Sequence, residues 1–157
     1  MEAKARESFA PEAAAAAERN GTMILLKRVY DASSRGDGRR ILVDRVWPRG
    51  IRKESLRLDA WLKDAAPSGD LRRWFGHDPS KWSEFRQRYF AELRGNESAY
   101  RPALEAARRG RVTLLYGARD RAHNNAVALK EYLESRAAKR RGAGRRPPRQ
   151  TRDRSSP

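Results

Sequence analysis

Two groups of polar residues in this chain have the types and spacing that chemistry needs. The first is Asp44, Arg45, Trp47 and Arg49, within "ILVDRVWPRG". Branched apolar residues there give way to a carboxylate, two guanidiniums and an indole, and the run closes in a turn at Pro48–Gly50. The second is Arg119, Asp120, His123 and Asn124, within "ARDRAHNN". Guanidinium groups hold carboxylates and phosphates through parallel N–H donors. A histidine three residues from an aspartate can move a proton near neutral pH, with the carboxylate fixing its tautomer. Trp47 can wall such a site and lower its dielectric. The chemistry implied is recognition of a small anion, with Asp120 and His123 as acid and base.

Each residue also has a structural reading. Asp44 and Arg45 alternate across a strand, so they point to opposite faces and need not pair with each other. Either could serve a salt bridge or cap a helix. In "GHDP", Asp78 reads as an N-cap before Pro79 in the first helical position, and His77 as its neighbour. His123 could simply occupy an early helical position behind a capping Asp120. Trp61, Trp74 and Trp82 fall at core spacing.

Other chemistries have little support. No cysteine is present, which removes disulfides, thiolate metal sites and thiol nucleophiles and fits a reducing cytoplasm. Neither a "GxxxxGK[ST]" nor a "GxGxxG" stretch occurs, so the common nucleotide cradles are missing and no cofactor is specified. The two histidines lack the tight spacing of a metal pair, and no metal is expected. No apolar run approaches membrane-spanning length, and the alanines at 13–17 do not make a secretory signal.

The elements that must position the two groups follow from periodicity. "MILLKRVY" and Ile41 to Trp47 read as strands, and "RVTLLYGA" as a third. Ten loop residues between the first two suggest an antiparallel pair. In "LRLDAWLKDA", Leu58, Trp61, Leu62 and Ala65 are spaced as one face of a helix. "PSGDLRRWFG" is a helix with Ser68 as N-cap and Gly76 as its stop. "DPSKWSEFRQRYFAELRG" is another, with Trp82, Phe85, Tyr89 and Leu93 as its stripe. A shorter one spans about Ala99 to Arg109. "RDRAHNNAVALKEYLE" is read as a helix that follows the third strand directly. The fold expected is α/β: one domain with a small mixed or parallel sheet of three to four strands packed with helices. Ligands of such sheets bind beyond the carboxyl ends of the strands, where both polar groups fall.

The longer stretches "LKRVYD", "DGRRILVDRVWPRGI", "LDAWLKDAAPS", "LRRWFGHDPSKWSEFRQRYFAEL" and "VTLLYGARDRAHNNAVALKEYL" occur in an order that resembles the YeaO-like family of small bacterial proteins. The resemblance covers about residues 24–133 and implies a bacterial α/β domain of unknown function, without a counterpart for the basic C-terminal tail. It also implies a start near Met23, which makes residues 1–22 an extension.

Charge is distributed unevenly. Of the net +16, half comes from residues 136–157, which carry nine Lys/Arg and one acid. That segment has no large apolar residue and reads as a disordered basic tail after a domain at 23–135. Such a tail attracts nucleic acid without reading its sequence. Two functions follow: a domain that binds, or acts on, a small anionic metabolite, and alternatively a non-catalytic module associated with nucleic acid through its tail.

Overall fold

Met23–Arg28 forms β1, and its branched residues set the pattern for the sheet beside it. The computed structural model describes residues 22–144. Of the expected extension at 1–22 and the expected tail at 136–157, residues 1–21 and 145–157 lie outside the described residues. After β1 come a 3-10 turn at Arg35–Asp37, then β2 at Arg39–Leu42 and β3 at Ala60–Trp61. Helices α1 (Gly69–Phe75), α2 (Trp82–Arg94) and α3 (Glu97–Arg109) follow, with short 3-10 turns at Lys63–Ala65 and Pro79–Lys81. Strand β4 (Arg111–Tyr116) and helix α4 (Asn125–Gly144) complete the order. The chain is an α/β domain.

The sheet runs β1-β4-β2-β3 with every neighbouring pair parallel. The expected antiparallel pairing of the first two strands is therefore incorrect. Strand β4 lies between them, with Leu114 opposite both Leu26 and Ile41. The ten-residue link does not close a hairpin; it carries the chain over β4. Its entry to β2 needs Gly38, which has φ of 63° and no room for a Cβ, since one would stand 2.1 Å from the Arg111 carbonyl oxygen.

The two faces of the sheet are covered differently. Ile24, Ile41, Val43, Val112, Leu114 and Tyr116 join a core cluster with residues of all four helices. On the other face Leu42 and Leu115 pack with Val29 and Leu56, against Trp47, Ile51, Leu58 and Trp61, all outside the helices. Val112, Leu114 and Leu115 are wholly buried, each stabilising the fold by about 2 kcal/mol relative to exposure.

Local signals for the middle helices hold. Ser68 Oγ accepts from Leu71 N, and Gly76 takes the left-handed conformation that ends α1. Asp78 caps the turn before α2, and Phe85, Tyr89 and Leu93 form its buried side.

Four local expectations need correction. The helix read at Leu58–Ala65 is instead β3 and a 3-10 turn: Ala60 and Trp61 pair with Ile41 and Leu42. Leu58 and Trp61 go to one face of the sheet, Leu62 and Ala65 to the other. Strand β2 stops at Leu42 rather than Trp47. Val43 N still donates to Leu115 O at 3.1 Å, but the Asp44 side chain then takes the Gly117 N–H and ends the ladder. Helix α3 begins at Glu97, two residues early, so Pro102 lies beyond its first turn. Finally, α4 starts only at Asn125, because Asn124 Oδ1 caps Val127 N at 3.0 Å. That helix runs to Gly144, past the expected limit at 135, and buries Ala137. No helix among the described residues is long and apolar enough to cross a membrane.

Candidate functional site

Beyond the carboxyl ends of β2 and β4 lies a cavity of about 500 Å³. One wall is the segment 44–49 that leaves β2. The second is Gly117, Ala118 and Asn124, between β4 and α4, with Asn125 at the start of α4. The third is Ala66, Pro67, Arg72, Arg73, Phe75 and His77, around α1. Its size is ordinary for a small-molecule site.

Neutral donors hold the carboxylate of Asp44. Gly117 N donates to Oδ2 at 2.8 Å and Asn125 Nδ2 to Oδ1 at 3.1 Å. The same Asn125 amide reaches the Val43 carbonyl at 2.9 Å, which ties the first turn of α4 to the end of β2. Burial pushes the Asp44 carboxyl above its ordinary value, against the hydrogen bonds from Gly117 and Asn125 and the positive charges of Arg72 and His77. Arg45 points elsewhere, to the carbonyls of Pro67 at 3.2 Å and Ala66 at 3.4 Å. The expected lack of pairing between residues 44 and 45 is what their partners show.

The rim is braced by aromatic and cationic side chains. Arg28 donates to Ala118 O at 2.8 Å and Gly117 O at 3.1 Å, and lies over the Tyr30 ring. Tyr30 Oη donates to Arg49 O at 3.0 Å. Trp47 Nε1 donates to Ile51 O at 2.7 Å, with its ring edge-on to Trp61. On the α1 side, Glu92 of α2 accepts from Ser68 N and Ser68 Oγ, at 2.8 and 2.6 Å, and so fixes the start of the helix that carries Arg72.

Two cations of the rim are uncommitted. The guanidiniums of Arg49 and Arg72 have neither a hydrogen-bond nor an ion-pair partner among the described residues. Arg73, by contrast, pairs with Asp70. His77 follows Gly76, and both have φ of 55°, a left-handed conformation uncommon for a residue with a side chain.

Of the residues singled out in the sequence, Asp44, Arg45, Trp47, Arg49 and Asn124 line the cavity; Arg119, Asp120 and His123 do not. Asp120 Oδ1 accepts from the backbone N–H groups of Ala122 and His123, at 2.9 and 3.0 Å, and folds the segment into a turn. These bonds, with that from the His123 side chain, hold its carboxyl below the ordinary value. His123 Nδ1 lies 2.9 Å from Asp120 Oδ2, and its ring stands edge-on to Trp82 at 5.3 Å. The pair forms as its spacing suggests, in the loop beside the cavity. Among the described residues no cluster of His, Asp or Glu has the form of a metal site.

Sequence reasoning missed Tyr30, Arg72, Arg73 and Asn125 as lining residues and read His77 as structural. In "LRRWF", Leu71 and Phe75 form the buried side of α1. The consecutive arginines on its other side were the available signal for a functional surface.

Comparison with known proteins agrees with this architecture. Residues 23–156 match the family described as the inactive DUF488-N3 subclade. The match extends past the 24–133 span expected from the motifs and takes in the basic tail. The chain is 43% identical over 112 residues to the uncharacterized protein YeaO of Escherichia coli, covering 71% of this chain and 97% of that one. It is 39% identical over 115 residues to an uncharacterized protein of Mycobacterium tuberculosis, covering 73% and 97%. No solved structure matches.

Proposed function

The chain belongs to the YeaO-like DUF488 family, in a subclade described as inactive, and from that premise we propose that its crevice binds a small anionic metabolite without turning it over. The observation that carries this reading is the pair of uncommitted guanidiniums, Arg49 and Arg72, on a cavity of about 500 Å³. A guanidinium at a partly desolvated rim gains most from a phosphate or carboxylate that takes paired N–H donors. The first turn of α4 adds a favourable dipole from a third side. Arg45, Trp47 and Asn124 shape the walls.

The subclade's description favours binding over catalysis. So does the turn that Asp120 builds, which gives that carboxylate a structural task apart from proton transfer. The test is calorimetric titration of the full chain with inorganic phosphate, phosphate monoesters and small carboxylates. Phosphate esters should bind, and Arg72→Ala should weaken that binding at least about tenfold, the scale of a lost charge-assisted contact. Equal affinity in the variant would remove the proposal.

The concentration of nine Lys/Arg in residues 136–157 supports a second, independent reading, in which the tail holds nucleic acid. Affinity for duplex DNA would then fall steeply with salt and vanish when 136–157 is deleted. Salt-insensitive binding by the truncated chain would place the nucleic-acid surface on the domain instead.

A further inference from the structure

The cavity holds a determinant of opposite sign to its rim. Each oxygen of Asp44 receives one donor from the protein, Gly117 N–H on Oδ2 and the Asn125 amide on Oδ1. An ionised carboxylate has about four acceptor sites, so unfilled lone pairs remain on both oxygens. Among the described residues no Lys, Arg or His forms an ion pair with it. A neutral acceptor would satisfy the Gly117 N–H equally well, and burying a charge without a cation is costly. Local structure alone therefore does not account for a carboxylate at this position.

We propose, on the basis of the anion-binding reading above, that the crevice selects a phosphate monoester whose organic part carries a hydroxyl. Arg49 and Arg72 hold the phosphate, and the hydroxyl donates to Asp44. Inorganic phosphate carries its only O–H on the same small charged group that must meet Arg49 and Arg72, so turning that donor to Asp44 brings two negative charges together. A zwitterionic amino acid offers a donor but too little negative charge for two uncommitted guanidiniums, Arg49 and Arg72, on a cavity whose lining includes one carboxylate, Asp44. A hydroxylated phosphate ester matches both poles, and Trp47, Phe75 and Phe85 give its carbon skeleton apolar walls.

The decisive comparison is between two ligands of equal charge and similar size, glycerol 3-phosphate and n-propyl phosphate, titrated calorimetrically into the full chain near neutral pH. Glycerol 3-phosphate should bind about tenfold or more tightly, as expected for a hydrogen bond to a charged acceptor. Asp44→Asn should bring the two affinities together while leaving that of n-propyl phosphate unchanged or improved. Should Asp44→Asn fail to fold, the ligand pair on the unaltered chain still decides. Equal affinities there overturn the proposal and leave the anion site standing. Failure of both esters to bind, or binding indifferent to Arg72→Ala, overturns the anion site and this inference with it.

Discussion

Asp37 lies two residues before β2 and Asp44 two residues after it, and the protein treats the two carboxylates in opposite ways. Asp37 is 1% exposed, yet Lys27 approaches it at 2.6 Å and Arg40 pairs with its other oxygen. The Ser34 N–H and hydroxyl donate at 3.0 and 2.9 Å. Burial alone would raise its carboxyl; the hydrogen bonds from Lys27, Ser34 and Arg40 outweigh that and hold it well below the carboxylate range. Asp44 has only neutral donors, and burial wins there. A charge whose partners all come from the protein stabilises the fold. One left with open acceptor sites costs stability, as functional residues commonly do.

The largest test of that contrast is Asp37→Ala. It strands Lys27 and Arg40 beside a buried site, and urea denaturation should show a loss of about 3–5 kcal/mol. A loss below about 1 kcal/mol would mean that the network is decorative.

The same contrast should appear in the pH dependence of stability. Asp37 has a depressed folded value, so its contribution is present above the unfolded value of about 4 and is lost as pH falls through the folded one. Asp44 has a raised folded value, so its contribution is complete below about 4 and is lost as pH rises through the folded one. Melting temperature should accordingly hold or rise slightly from neutral pH towards about 4, then fall below it. Asp37→Asn should lessen the acid fall, and Asp44→Asn should remove the shallow rise. A monotonic decline from neutral pH, unchanged by Asp44→Asn, would contradict the opposed signs.

Smaller effects sharpen the comparison. Asp44→Asn should leave stability within about 1 kcal/mol of the unaltered chain or slightly raise it, since Gly117 keeps an acceptor and Asn125 keeps the Val43 carbonyl. His123→Ala should cost least, about 0.5 kcal/mol, through the Trp82 edge contact and the half-exposed Asp120 pair. It should not change affinity for phosphate esters, because His123 does not line the cavity. A tenfold loss would bring the Asp120–His123 pair back into the site.

Much of this molecule is fixed by short-range signals. The branched runs at 23–28 and 111–116 form strands, and Ser68, Gly76 and Asp78 cap or stop elements where their chemistry requires. The rule that ligands gather at strand carboxyl ends points to the region where Asp44, Arg45, Trp47, Arg49 and Asn124 line the cavity, but equally to Arg119, Asp120 and His123, which do not line it. What the tertiary structure decided is non-local. Leu58, Trp61, Leu62 and Ala65 have helical spacing, but pairing of Ala60 and Trp61 with β2 offers backbone partners that periodicity cannot anticipate, and the four divide between two faces. The insertion of β4 between β1 and β2 comes from burial of its most apolar strand on both faces. Arg72 and His77 reach the cavity only because Glu92 and the core residues of α1 fix that helix beside the end of β2. Periodicity specifies which side of a helix is buried; what its exposed side confronts depends on where the rest of the chain has packed.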